Sequence, residues 1–318
     1  VTEPPAPFVP PLGAGAEFDL IRRMVERWGD RARDIGDDAA VLRVPRGDAL
    51  VASVDEAVEE HHFRRGWLTP REIGYRAVTA ALSDLAGMAA RPLGILLALG
   101  VSERWRTELD AIADGVGEAV VAAGTFVLGG NVVSGPGLSL TTTVLGSTFA
   151  PLRRSGAKPG NRLYVTGRLG GPGAAILAWE GGREPAAAHR HRFAHPVARL
   201  REARWLADRG ATAAIDISDG FAADLEHLAA ASGVGADVDL AMLPLVDGVD
   251  DAVVAAASGE EFELLVTSPD TLDSGAFERQ FSLPLVEVGL ITAKRGDLAF
   301  TLAGERVAKP AGYDHLSR

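Results

Sequence analysis

Five short oxygen-rich segments, spread through a chain of 318 residues, constrain its fold more than any other feature. They are Ile35-Gly36-Asp37-Asp38, Ser53-Val54-Asp55, Ser83-Asp84, Gly129-Gly130-Asn131 and Asp216-Ile217-Ser218-Asp219-Gly220. Each contains Gly or Ser, follows or interrupts an apolar run, and holds no Lys or Arg of its own. A fold that left them scattered would carry uncompensated carboxylates at several apolar elements, which is costly. A fold that gathers them makes an oxygen-rich site for a hard divalent cation such as Mg²⁺. Such a site suits a polyphosphate ligand.

Local geometry says which of these groups can act together. Side chains alternate along a strand, so Ser53 and Asp55 share one face, as do Asp216 and Ser218. Gly36 predicts a turn at which Asp37 and Asp38 could both be used. Thr69-Pro70-Arg71-Glu72 predicts a helix start, with Thr69 as N-cap, Pro70 at the first helical position and Glu72 closing a capping box. The helix is expected to run to about Ala89, with Ile73, Ala77, Ala80, Ala81, Asp84 and Met88 on one stripe. A carboxylate on that stripe needs a metal or a distant Arg as partner.

Composition narrows the partners. The net charge of −11 argues against nucleic acid or an anionic membrane surface, and it obliges a phosphate-binding protein to recruit cations. With no cysteine, disulfides, zinc–thiolate sites and thiol nucleophiles are excluded. No apolar run approaches the roughly 18 residues of a membrane span. The N-terminus shows no basic region followed by an apolar stretch, so a cytoplasmic enzyme is expected.

The chain reads as an α/β protein of two domains: a Pro-rich arm over residues 1–16, an N-terminal domain over 17–148 and a C-terminal α/β domain over 149–318. Helical spacing begins near Glu17, through Phe18, Leu20, Ile21 and Met24. Strands are expected at 39–42, 49–54, 138–145, 162–166 and 211–217, a helix over 105–123, and a turn at Gly129-Gly130. In the first half the strands read as hairpin-like pairs rather than strict βαβ units. Ser218 is expected to cap a helix beginning at Asp219. The glycines at 167, 170, 171 and 173 lack the Gly-Lys-Ser/Thr ending of a Walker A loop and read as a tight strand-to-helix turn. His189, His191 and His195 alternate with arginines and read as a solvated helix face. His61 and His62 follow an acidic turn, and one of them is expected to touch substrate.

Taken in order, the segments resemble thiamine-monophosphate kinase. The match includes Glu17-Phe18, the five oxygen-rich segments, His62-Phe63, Arg154-Ser155-Gly156-Ala157-Lys158-Pro159-Gly160, Tyr164-Val165-Thr166-Gly167, Gly259-Glu260-Glu261-Phe262-Glu263-Leu264 and Gly312-Tyr313-Asp314-His315. It runs from about residue 17 to the C-terminus. The resemblance implies a two-domain fold of the aminoimidazole-ribonucleotide-synthetase-like superfamily, a homodimer paired through N-terminal sheets, and ATP-dependent conversion of thiamine monophosphate to thiamine diphosphate with several Mg²⁺ ions.

Carried over by position, the resemblance implies metal ligands at Asp37, Asp38, Ser53, Val54, Asp55, Asp84, Asn131, Asp216 and Asp219. It implies ATP contacts at Gly130, Asn131, Arg154 and Ser218, and substrate contacts at His62, Glu260 and Tyr313. The family pattern has Asp at 131, Thr at 54 and Asn at 81, where this chain has Asn, Val and Ala. No general base is expected, because the acceptor phosphate, with a second pKa of about 6, is already largely dianionic at neutral pH. Two alternatives remain: another ATP-dependent enzyme of the superfamily, of the aminoimidazole ribonucleotide synthetase kind, or a nucleotide-binding member with weakened or lost turnover.

Overall fold

The computed structural model describes residues 15–33, 35 and 39–313. Residues 1–14 of the Pro-rich arm, Asp37, Asp38 and the final residues from Asp314 lie outside them. The chain divides into two units: the chain up to Leu85 with Arg91–Phe149, and Ala86–Ala90 with the chain from Ala150 onward.

The first unit holds α1 (Ala16–Trp28), β1 (Ala49–Val58), most of α2 (Pro70–Gly87), β2 (Arg91–Val101), α3 (Leu109–Ala123), β3 (Val127–Ser134) and β4 (Leu138–Thr148). Its sheet has the order β1-β4-β2-β3. β4 runs antiparallel to β1 and β2, while β2 and β3 are parallel and joined through α3. The expected hairpin-like pairs do not form: β3 and β4 are consecutive in sequence, yet β2 lies between them. Alternation explains the arrangement. Ile95, Leu97, Leu99, Leu138, Leu140 and Val144 are buried on one face, and Thr141, Thr143 and Leu145 on the other are only half-buried.

The capping box at the start of α2 forms as its sequence predicts. Thr69 N–H donates to Glu72 Oε2 at 2.8 Å, and Glu72 N–H donates to Thr69 Oγ1 at 3.3 Å. Two glycines then allow α2 and α3 to touch backbone to backbone. A Cβ on Gly74 would lie 2.1 Å from the Ile112 carbonyl oxygen, and one on Gly115 would lie 1.8 Å from that of Arg71. α2 ends at Gly87, two residues earlier than expected, and Ala89 turns the chain with φ of 52°.

Two further expectations fail in this unit. Residues 39–42 form no strand; Val41 is 77 % exposed, and among the described residues no ladder includes it. Gly129-Gly130 is not a turn. Both glycines lie inside β3, where a register shift beside Ile95 and Leu96 absorbs Leu128 as a bulge.

The second unit contains β5 (Arg162–Thr166), α4 (Gly171–Glu180), α5 (Ala187–Ala194), α6 (Leu200–Ala207), β6 (Ala213–Asp216), α7 (Phe221–Ser232) and β7 (Gly235–Asp239). α8 (Ala252–Ala256), β8 (Leu264–Ser268), α9 (Ser274–Phe281), β9 (Leu285–Thr292), β10 (Leu298–Leu302) and β11 (Glu305–Val307) complete it. The seven strands have the order β11-β10-β7-β9-β5-β8-β6, with β10 and β7 the parallel pair. Leu163, Val165, Ile215, Leu225, Leu265 and Phe300 are fully or almost fully buried in its core.

Ser218 does not cap α7. That helix starts at Phe221 after Gly220, and no side chain at its N-cap accepts a hydrogen bond. The loop is held from inside the helix instead: the Asp224 carboxylate accepts N–H bonds from Ser218, Asp219 and Gly220 at 3.0, 3.0 and 3.1 Å. One acceptor so placed satisfies three amides that a serine hydroxyl could not. His189 also departs from expectation. It is buried, and its Nε2 lies 2.9 Å from the Asp247 carbonyl oxygen, so α5 turns it inward.

Candidate functional site

In the first unit, β1 and α2 bring two of the five segments together. Ser53 Oγ donates to Asp84 Oδ2 at 2.5 Å, and both residues are half-buried. The contact follows from two periodicities. Ser53 lies on the helix-facing side of β1, and Asp84 falls in line with half-buried Ala80 and, just past the helix end, Met88, on a partly open face. Asp55, on the same face as Ser53, is exposed and accepts an N–H bond from Glu56 at 2.8 Å. It also faces Arg76, whose guanidinium is pushed down to about 9 by burial while Asp55 works against the shift. A core arginine therefore exists beside the site carboxylates, and it feels the charge of Asp55.

Val54 is 62 % exposed on the opposite face of β1. Asn131 is exposed on β3 beside Gly130; it pairs with Ala98, which pairs with Thr141. By register Asn131 falls on the face of Val54, not on that of Ser53 and Asp55. His62 is half-buried, and its Nδ1 accepts the Val58 N–H at 3.1 Å. Neutral His62 therefore carries its proton on Nε2, where it can donate to a ligand.

In the second unit, three segments far apart in sequence converge. Glu260 N–H donates to the Ser218 carbonyl at 2.7 Å, Phe262 N–H to that of Ile217 at 2.8 Å, and Tyr313 N–H to that of Asp219 at 2.9 Å. Gly312 makes the last approach possible, since a Cβ there would lie 2.3 Å from that of Ala223. Asp216, Ser218, Asp219, Glu260 and Tyr313 are thereby gathered around the loop that follows β6. Arg154 is exposed in the connection before β5, and its carbonyl accepts a bond from Ser232 Oγ at 2.6 Å.

Electrostatics around that loop are strained. Burial pushes Asp224 up to about 8, and the charges of Asp216 and Asp219 push the same way, against the backbone N–H bonds. Carboxylates crowded in this manner favour either a proton or a cation. Among the described residues no group of three or more His, Cys, Asp or Glu side chains is arranged to hold a metal alone. Mg²⁺ typically keeps several waters and takes one or two carboxylates together with substrate phosphates. The donors present, carboxylate and hydroxyl oxygens, are the hard ligands such an ion prefers.

The glycine-rich turn after β5 is filled by the protein's own carboxylates, as a structural turn should be. A Cβ on Gly167 would collide with the Glu263 carboxylate, and the Gly170 N–H donates to Glu261 Oε1 at 2.6 Å. Glu261 and Glu263 are buried, as is Arg199, which donates to Glu263 Oε2 at 2.8 Å. Burial pushes Glu261 up to about 7, opposed by Arg192. Glu263 is held below the usual carboxylate range by Arg199 and Arg192, which overcome its burial. Sequence reasoning missed Arg76, Arg192, Arg199 and Asp224 as participants. Asp224 was detectable, because it shares the apolar stripe of Phe221, Leu225 and Leu228. The arginines were not, because their partners are 21 to 71 residues away in sequence.

Comparison with known proteins agrees with this architecture. Residues 36–148 match AIR synthase related protein, N-terminal domain, and residues 158–299 match AIR synthase related protein, C-terminal domain. A thiamine-monophosphate kinase of Escherichia coli O157:H7 is 35 % identical over 331 residues, spanning 96 % of this chain and 99 % of the relative. The crystal structure of thiamine-monophosphate kinase from Stenotrophomonas maltophilia K279a superposes with a TM-score of 0.80 at 32 % identity, over 92 % of this chain and 98 % of that one. A structure described as AaThiL complexed with AMPPCP and TMP gives a TM-score of 0.75 at 27 % identity, over 94 % and 95 %. Matched end to end at this level of identity, the chain belongs to the thiamine-monophosphate kinase family.

Proposed function

We propose that this protein phosphorylates thiamine monophosphate with ATP, giving thiamine diphosphate and ADP. The observation that carries the reading is the convergence of three family segments on the loop after β6, through the bonds made by Glu260, Phe262 and Tyr313. These segments hold the proposed substrate residues Glu260 and Tyr313 beside the acidic residues Asp216 and Asp219. In the reaction an oxygen of the acceptor phosphate bonds to the γ-phosphorus as the bond to the leaving ADP oxygen breaks. The acceptor needs no base, so catalysis rests on alignment and charge neutralisation.

Several Mg²⁺ ions are assigned, by the family resemblance, to Asp37, Asp38, Ser53, Asp55, Asp84, Asp216 and Asp219. When bound, they supply neutralisation of phosphate charge that an acidic chain cannot provide. Arg154, Ser218, Gly130 and Asn131 are assigned to ATP. His62, with its proton on Nε2, Glu260 and Tyr313 are assigned to thiamine monophosphate. Val54, through its backbone carbonyl, and Asn131, through its side-chain carbonyl, are assigned to the cations as well; the sheet register places both side chains on the face opposite Ser53 and Asp55.

We also propose a homodimer working in the cytoplasm. β1 pairs only with β4 among the described strands, and Leu50 and Val54 stand 55 % and 62 % exposed along it. A ten-residue end strand with apolar side chains invites pairing with another chain. The reaction is tested by measuring ADP and thiamine diphosphate together, with thiamine monophosphate and with aminoimidazole-type ribonucleotides as competing substrates. Equimolar products from thiamine monophosphate alone are expected. ADP release only with the ribonucleotides would sink the reading.

A further inference from the structure

Arg192 on α5 makes contacts that the proposed chemistry does not use. Its Nη1 and Nη2 each donate to Glu263 Oε1 at 3.1 Å, and Nη2 reaches the Arg168 carbonyl at 3.0 Å and Glu261 Oε2 at 3.4 Å. The stem of Arg192 packs on Gly171, where a Cβ would lie 3.1 Å from its own. The Glu261 and Glu263 side chains are wholly buried, while that of Arg192 is 21 % exposed. One guanidinium thus joins the turn after β5 to the segment carrying Glu260.

That segment needs holding. Glu260 has φ of 64° and Phe262 φ of 52°, left-handed conformations unusual for residues with side chains. Such strain persists only where the surroundings over-determine it. Here the backbone bonds of Glu260 and Phe262 fix one side of the segment. On the other, Glu261 is pinned to Gly170 N–H and to Ser258 Oγ, each at 2.6 Å, and Glu263 to Thr166 Oγ1 at 2.8 Å. Two buried carboxylates two residues apart stay inside because Arg192 and Arg199 oppose their charge.

We propose that Arg192 is a positioning residue for thiamine monophosphate: it never touches the substrate, and it fixes the strained backbone that aims Glu260. The inference rests on Glu260 being a substrate contact. Its specific claim is that thiamine monophosphate is affected more than ATP, because Arg192's own bonds among the described residues go to Arg168, Glu261 and Glu263, and its effect passes to Ser218 only through the Glu260 N–H bond to the Ser218 carbonyl.

The test compares Arg192→Met and Arg192→Lys with wild type, using folded protein verified by near-ultraviolet dichroism. Lysine keeps the charge but cannot bridge two carboxylates and a carbonyl with one planar fork. Amide hydrogen exchange at residues 260 and 262 should quicken about tenfold or more in Arg192→Met, while β5 and β8 keep their protection. KM for thiamine monophosphate should rise about tenfold with KM for ATP within about twofold, and Arg192→Lys should recover part of both effects. Unchanged exchange at 260 and 262 overturns the proposal whatever the activity. So does an equal rise in both KM values, or a collapse of Arg192→Met beside a wholly wild-type Arg192→Lys. A wild-type enzyme inactive with thiamine monophosphate would overturn the proposed reaction, while the exchange result would still decide the role of Arg192.

Discussion

Asp84 and Glu261 show how differently two enclosed carboxylates are treated. Asp84 is half-buried on its helix and accepts a hydrogen bond from a hydroxyl, Ser53 Oγ. Asp84→Ala should lower turnover by orders of magnitude. It should leave the protein folded, at a cost on the order of 1 kcal/mol for each hydrogen bond that Asp84 loses. Activity assays beside a melting curve check this; a steep loss of stability with turnover intact would make Asp84 structural. Glu261 is sealed inside, and burial raises it from 4.5 to about 7. A carboxyl raised by folding contributes stability that is complete below about 4.5 and lost as pH climbs to about 7. Glu261→Gln mimics the protonated form. The stability of wild type relative to Glu261→Gln should therefore fall between those pH values and level off above them, as urea titrations at several pH values would show. A constant difference across that window would contradict the burial argument.

At the scale of elements, α2 is the organiser of the first unit. It begins with a reciprocal capping box, lies almost fully buried, and meets α3 through Gly74 and Gly115. Thr69→Ala removes one half of the box and should cost about 1 kcal/mol. Gly115→Ala is the harsher change, because the new methyl would sit 1.8 Å from the Arg71 carbonyl oxygen. Overpacking usually costs roughly 1–3 kcal/mol, and contact with a backbone atom that cannot rotate away places this substitution at or above the upper figure. Chemical denaturation of both variants should rank them in that order. The physical reason is general: a cap can be replaced by water, whereas two helix backbones in contact must separate to admit a side chain.

For the whole molecule, charge is the governing quantity. A net charge of −11, with Asp216, Asp219 and Asp224 crowded around one loop, should repel a nucleotide unless cations intervene. ATP binding, followed by calorimetry, is expected to vanish in excess chelator and to return with Mg²⁺. Equally tight binding in chelator would show that protein cations suffice. Association is the second whole-molecule property. Paired substitutions Leu50→Lys and Val54→Glu place charges on the apolar side chains of β1 and should convert a dimer into monomers by sedimentation analysis, without unfolding them. A wild-type protein that sediments as a monomer would remove the proposed role of that strand.

Much of this was written in short-range pattern. Thr69 to Glu72 fixed a helix start because both halves of a capping box lie within one turn. The strand at residues 162–166 was bounded by its apolar run and the glycine that follows. The order of the oxygen-rich segments was enough to place the chain in its family. What the sequence could not convey depended on long-range pairing. β2 inserts between consecutive strands β3 and β4, so Gly129-Gly130 became strand and Asn131 was turned to the face opposite Ser53, because strand pairing, not local turn propensity, decides which face a residue occupies. Ser218 lost its capping role to Asp224, since a buried carboxylate can satisfy three amides at once. Arg192 and Arg199 found their partners, Glu261 and Glu263, more than 60 residues away, where only the closed fold brings opposite charges into one desolvated space.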